Sequence, residues 1–178
     1  MRNTLFVLAL CIVAILVGLF LFFYNPKDLT GRQAGDQSAQ VATAPLTATP
    51  VTFSVLEVGG NAQEADERKN VAARDQESFE RVWKMAHGAQ EMAMPTMDFS
   101  KEYVVGVFAG QKSSGGYAIA VTGVEDMGDE RTISVTITAP GENCMVTQAL
   151  TAPYQLIRVP VSAHSLKASD TVVTTACE

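Results

Sequence analysis

The stretch Thr132-Ile-Ser-Val-Thr-Ile-Thr138 alternates polar and apolar residues without a break. Ile133, Val135 and Ile137 share one face and the hydroxyl side chains the other, which is the period of a half-buried strand. Neighbouring stretches read the same way. Tyr103-Val-Val-Gly-Val-Phe-Ala109 is a near-continuous apolar run, as expected of a central strand. Residues 117–124 form another strand, followed by a turn at Asp126-Met-Gly-Asp129. Strands are expected over 145–150 and 154–159, broken at Pro153 and stopped at Pro160. Residues 171–176 close the series. Upstream, 52–58 reads as a strand, 64–69 as a charged loop and 70–73 as a short strand.

One helix interrupts the strands. Asp75 suits an N-cap, and Glu77 falls in the first turn, where the helix dipole favours an acid. Phe79, Val82, Trp83 and Ala86 come next at i, i+3, i+4 and i+7, one apolar stripe that must lie on a sheet. Gly88 ends it, because glycine takes a positive φ without strain. Seven or so short strands with one helix predict an α+β domain, mainly antiparallel, with the helix packed on it.

The chain has 178 residues and a net charge of −6. Its apolar residues crowd the N-terminus. Residues 5–24 read LFVLALCIVAILVGLFLFFY and carry no charge. As a helix this stretch spans ~30 Å, the hydrocarbon thickness of a bilayer, so it predicts a single transmembrane signal anchor in contact with lipid. A cleaved signal peptide is the competing reading, but the apolar run leads into Phe-Phe-Tyr-Asn-Pro26, with no small-x-small cleavage site. Leu8-Ala-Leu-Cys11 is only loosely like a lipid-attachment box. Bulky Leu10 precedes the cysteine, and too few apolar residues come before it.

Residues 1–4 would then be a short cytoplasmic end. The charges flanking the span barely decide its orientation. The first helix of a chain commonly directs export of the domain behind it, and the two cysteines beyond it suit an oxidising compartment. The expected location is therefore the cell membrane, single-pass, with the C-terminal domain extracytoplasmic. Residues 25–50 hold Thr, Ala, Gln, Gly and three Pro without an apolar period and read as a flexible linker. As a coil it would reach about 25–30 Å. Residues 51–178 form the folded domain, with 10 Lys+Arg against 17 Asp+Glu.

That acidic balance argues against a nucleic-acid partner, since no basic cluster exceeds Arg68-Lys69. Two His and three Cys leave little material for a metal centre or catalytic dyad. His87 sits at a helix end and His164 in a polar turn, and neither neighbours a nucleophile motif. Glu125, Asp126, Asp129 and Glu130 gather at a turn and read as solvated. No enzymatic activity, catalytic residue, metal or cofactor is expected. Met92, Met94 and Met97, with Met85 and His87 nearby, could form a soft Cu(I) site, but methionine is also an adaptable core filler. Cys144 and Cys177 are expected to form a disulfide, the alternative being two buried thiols in a cytosolic domain. The bridge would close a loop of 33 residues and contribute ~3–4 kcal/mol if unstrained.

The stretch Asp98-Phe-Ser-Lys-Glu-Tyr-Val-Val-Gly-Val-Phe-Ala-Gly-Gln-Lys-Ser-Ser-Gly-Gly-Tyr-Ala-Ile119 resembles the C-terminal domain of the protease complex subunit PrcB family. The run from Cys144 to Pro160, with its Pro-Tyr and closing strand, resembles it too, as does Arg74-Asp-Gln-Glu-Ser-Phe-Glu-Arg-Val-Trp83. The resemblance implies a cell-envelope protein that associates with a surface protease and supports its assembly. It implies no catalytic residues. The chain departs from the namesake in having an apolar span rather than a convincing lipid-attachment cysteine.

Gln111, Lys112, Ser113, Ser114, Gly115, Gly116 and Tyr117 form a glycine-rich connection between two strands. It is no phosphate loop, because no Gly-Lys-Ser/Thr closes it and it runs into a strand. It is either a plain connector, with Gly115 or Gly116 at positive φ, or an exposed recognition loop with Tyr117 as an anchor. The expected function is a membrane-anchored, non-enzymatic, extracytoplasmic protein-interaction domain, an accessory or stabilising subunit of a surface protease or a partner of another envelope protein. The alternative is a small-ligand or cell-wall-binding module. An exposed apolar patch beside the loop would favour the former, a deep apolar pocket the latter.

Overall fold

Strand β4 (Glu102–Phe108) is buried along nearly its whole length, and that decides the layering. Tyr103, Val105 and Val107 point to one side, Val104 and Phe108 to the other, so both faces need cover. The computed structural model describes residues 47–176 apart from Glu91. One cover is a second sheet and the other is a helix.

The remaining strands are β1 (Thr49–Pro50), β2 (Ser54–Gly59), β3 (Lys69–Ala73), β5 (Ala118–Met127), β6 (Glu130–Pro140), β7 (Tyr154–Pro160) and β8 (Ser165–Thr175). They form two four-stranded sheets, β1-β5-β6-β8 and β2-β7-β4-β3. Ile119, Val121, Ile133 and Val135 of the first meet Tyr103, Val105, Val107, Ile157 and Val159 of the second in the core between them. Helix α1 (Gln76–His87) lays Phe79, Val82 and Ala86 on the opposite face of the second sheet, against Val104, Phe108 and Leu156. Burying a side chain such as Phe79 contributes about 1.5–3 kcal/mol.

The helix begins at a capping box. The Asp75 carboxylate accepts from Ser78 N at 2.7 Å, and Ser78 Oγ accepts from Asp75 N at 3.2 Å. The backbone bond from Ser78 holds the Asp75 carboxyl below its ordinary pKa. Gly88 ends the helix with φ 65°, and Lys84 and His87 occupy the last turn, where the dipole favours cations.

The fold class is corrected. The described residues are mostly strand, in two facing sheets with one 12-residue helix, rather than the expected α+β domain behind a transmembrane helix. Sheets dominate because the apolar runs of β4 and β7 are buried on both faces, and a second sheet covers the side the helix does not. Among the described residues no helix is long and apolar enough to cross a membrane. The anchor expected over 5–24 lies outside the described residues, as do 1–4, most of the linker and Cys177. The pairing is also not wholly antiparallel, since β8 runs parallel to β6. Thr49 and Pro50, inside the expected linker, pair with Asp126 and Glu125 of β5. No strand forms over 145–150, where Met145 is fully exposed and Leu150 62% exposed.

Candidate partner-binding surface

Residues 110–117 carry the chain from β4 in one sheet to β5 in the other. Such a crossing leaves backbone groups without a ladder partner, and here single bonds from two other segments satisfy them. Gln111 N donates to Asp66 O at 2.8 Å. Lys112 and Thr151 exchange backbone bonds of 2.7 and 3.1 Å. Thr151 Oγ1 donates to Ser114 O at 2.8 Å, and Gly115 N to Thr147 O at 2.9 Å. Gly116 takes φ 84°, with Val146 and Pro140 against the position a Cβ would occupy. The segment expected to be a strand over 145–150 thus serves as the brace of this loop.

The braced loop presents Gln111, Ser113 and Gly116 to solvent, with Lys112, Ser114 and Tyr117 half-buried and Gly115 buried. Lys112 Nζ stands 5.7 Å from the centre of the Tyr117 ring. Tyr117 also lines an open cavity of about 220 Å³ with Val58, Gly59, Gly60, Ala118, Ile119 and Pro153. Val58 is 63% exposed at its edge. Exposed Met145 and Leu150 lie on the bracing segment. The surroundings of the loop therefore include exposed apolar side chains and an open cavity.

Other sequence candidates fall elsewhere. Met85, Met94 and Met97 pack beside Trp83 and Phe99 against the core under the helix, and Trp83 Nε1 donates to Met92 O at 3.3 Å. They are filling space there. His164 Nδ1 contacts Ser162 Oγ and lies 3.6 Å from Asp126 Oδ2. Both contacts fall on the same ring nitrogen, so the three residues do not form a nucleophile–base–carboxylate relay. Asp126 instead serves Arg131, accepting from Nε at 2.6 Å and Nη2 at 2.8 Å. Those bonds hold its carboxyl below the ordinary value and raise the guanidinium. Cys144 Sγ lies 3.7 Å from the carbonyl of Thr175, two residues before Cys177.

Sequence reading missed one cluster. His87, 4% exposed, meets Glu57 and Tyr154 beneath the helix end. His87 Nδ1 donates to Trp83 O at 3.0 Å, and Nε2 lies 2.8 Å from Glu57 Oε1. The Tyr154 hydroxyl donates to the same oxygen at 2.6 Å. Burial first, and the Glu57 carboxylate second, raise the phenol well above its ordinary pKa. The three residues lie far apart in sequence, and the only local signal was a histidine in the last turn of a predicted helix.

The fold defines a class, a two-sheet β domain with one helix on the outer face of one sheet. Residues 103–160, from β4 through β7, match the family model described as PrcB C-terminal. That stretch, which includes the bracing segment and the whole of the loop, is therefore similar to the PrcB C-terminal domain. No curated protein and no solved structure matches the chain.

Proposed function

We propose that this protein is a non-enzymatic accessory subunit that binds a protease, or another envelope protein, through the 111–117 loop and the cavity beside it. One observation carries the reading: hydrogen bonds from the family-matched segment brace a sheet-crossing glycine-rich loop, with exposed apolar side chains around it. Loops fixed on a rigid sheet are common binding elements, because little entropy is lost when they engage. Lys112 and Tyr117 are the anchors. The domain works outside the cytoplasm, held at the membrane through residues 5–24 and stapled by Cys144 and Cys177. The uncharged 20-residue stretch and the even cysteine pair support that placement. The small, open cavity, about 220 Å³, favours a protein partner over a small ligand or wall glycan.

Copurification of the full chain from solubilised envelope tests this. A protease should accompany the wild type and be lost from Lys112→Glu/Tyr117→Ala. Capture that survives the double substitution in a folded protein removes the loop's role, and capture of wall glycan alone favours the alternative.

A further inference from the structure

The hydrogen-bond geometry of the Glu57–His87–Tyr154 cluster asks for one proton more than a neutral imidazole and a carboxylate would bring. Trp83 O can only accept, so His87 Nδ1 carries a hydrogen. The bare Nε2 of that tautomer would then face a carboxylate oxygen at 2.8 Å, lone pair against lone pair. The other tautomer moves the same conflict to Nδ1 and Trp83 O. Tyr154 cannot relieve it, because its hydrogen is given to Glu57. The contact between Nε2 and Oε1 is a hydrogen bond only with a further proton on it.

The cluster also sits behind the cavity wall. Glu57 precedes Val58, Gly59 and Gly60, three residues that line the cavity beside Tyr117, and Pro153 of the same wall precedes Tyr154. The Tyr154 ring lies directly on Gly59, where an added Cβ would stand 2.2 Å from the ring. Among the described residues, strand β2 is an edge strand, bonded only to β7, so its end depends on these contacts. The neighbouring charges are otherwise engaged. From α1, Lys84 pairs with Glu64 of the preceding segment at 3.5 Å. From β2 and β7, Glu57 and Tyr154 are the titratable groups that face the ring.

We propose that Glu57, His87 and Tyr154 form a proton-held latch that fixes the cavity wall beside Tyr117, making the shape of that surface depend on pH. The importance of that surface rests on the function proposed above, but the latch can be read in the protein alone. With the shared proton, helix end, β2 and β7 are tied together. When the proton leaves at raised pH, Nε2 and Oε1 repel, water reaches the partly exposed Glu57, and the wall is released.

The test is an NMR titration of the full chain in a His164→Gln background, which leaves His87 as the one histidine. At neutral pH the His87 ring should show a proton on the bond to Glu57. As pH rises its loss should coincide with shifts of the Val58, Gly59, Gly60 and Tyr117 amides, while Thr171 and Thr174 of β8 stay still. Glu57→Gln should remove the bridging proton and displace the same amides at neutral pH, and Tyr154→Phe should displace them less. If Glu57→Gln does not fold, Glu57→Asp and the unsubstituted titration carry the test. A ring without that proton at neutral pH, or one that loses it while the wall amides stay in place, overturns the proposal. Failure of partner capture would not, because no partner enters the measurement.

Discussion

Gln155, on β7, accepts a hydrogen bond from the backbone N–H of Val121, on β5, at 2.6 Å across the core between the two sheets. The bond falls where the pairing of β5 with β6 slips between Val121 and Gly123, and it gives the buried Val121 N–H an acceptor. A buried donor left without an acceptor costs roughly 1–3 kcal/mol. Gln155→Leu should lower stability by that amount in urea unfolding, with an unchanged slope, and an unchanged midpoint would mean water replaces the amide.

Arg131 is 3% exposed and depends on Asp126. Asp126→Asn leaves a buried guanidinium without its counter-charge, and about 3–5 kcal/mol of stability should be lost. The sign with pH is set by the lowered Asp126 pKa. Its contribution is complete above the ordinary carboxyl value of 3.8 and is lost as pH falls through the folded value. Wild type should therefore lose stability below about pH 4 more steeply than Asp126→Asn, as monitored by circular dichroism during acid titration.

The helix is fastened by packing more than by propensity. Phe79 touches Trp83 and Phe99 edge-on, with ring centres 5.8 and 6.1 Å apart. Phe79→Ala should cost ~3–5 kcal/mol. Asp75→Ala, which removes only the cap, should cost ~1 kcal/mol. Denaturant unfolding separates the two, and equal effects would contradict this ranking.

Such contrasts mark what the sequence could tell. Helix α1 was legible from Asp75 to Gly88 because caps and an i, i+3, i+4, i+7 stripe are local signals. The strand at Ile133, Val135 and Ile137 was legible by its period, and the one at Tyr103–Phe108 by its unbroken apolar run. The placing of β4 and β5 in different sheets was not, because pairing is decided by contacts distant in sequence. Met145 and Leu150 looked like strand residues by composition, yet their segment finds no ladder and braces a loop instead. At the candidate surface, the loop itself was legible from its glycines. The wall supplied by Val58–Gly60 and the hydrogen-bonded pair behind it, Glu57 and His87, 30 residues apart, could emerge only from the folded chain.

The expected pairing of Cys144 with Cys177 has a direct check. Non-reduced full-length protein should show one alkylatable thiol, Cys11, and reduction should expose two more. Cys144→Ser should lower stability by ~3–4 kcal/mol under oxidising conditions. Three free thiols in non-reduced protein would remove the bridge.

The central claim concerns the loop between the sheets, and site-specific photo-crosslinking in the source cells reads it most directly. A crosslinker at exposed Ser113 should form an adduct with a protease partner, and Lys112→Glu/Tyr117→Ala should abolish that adduct. The same group at Ser169, on exposed β8, should form none. Adducts from Ser169 but not Ser113, or a Ser113 adduct indifferent to Lys112 and Tyr117, would contradict a binding role for the loop.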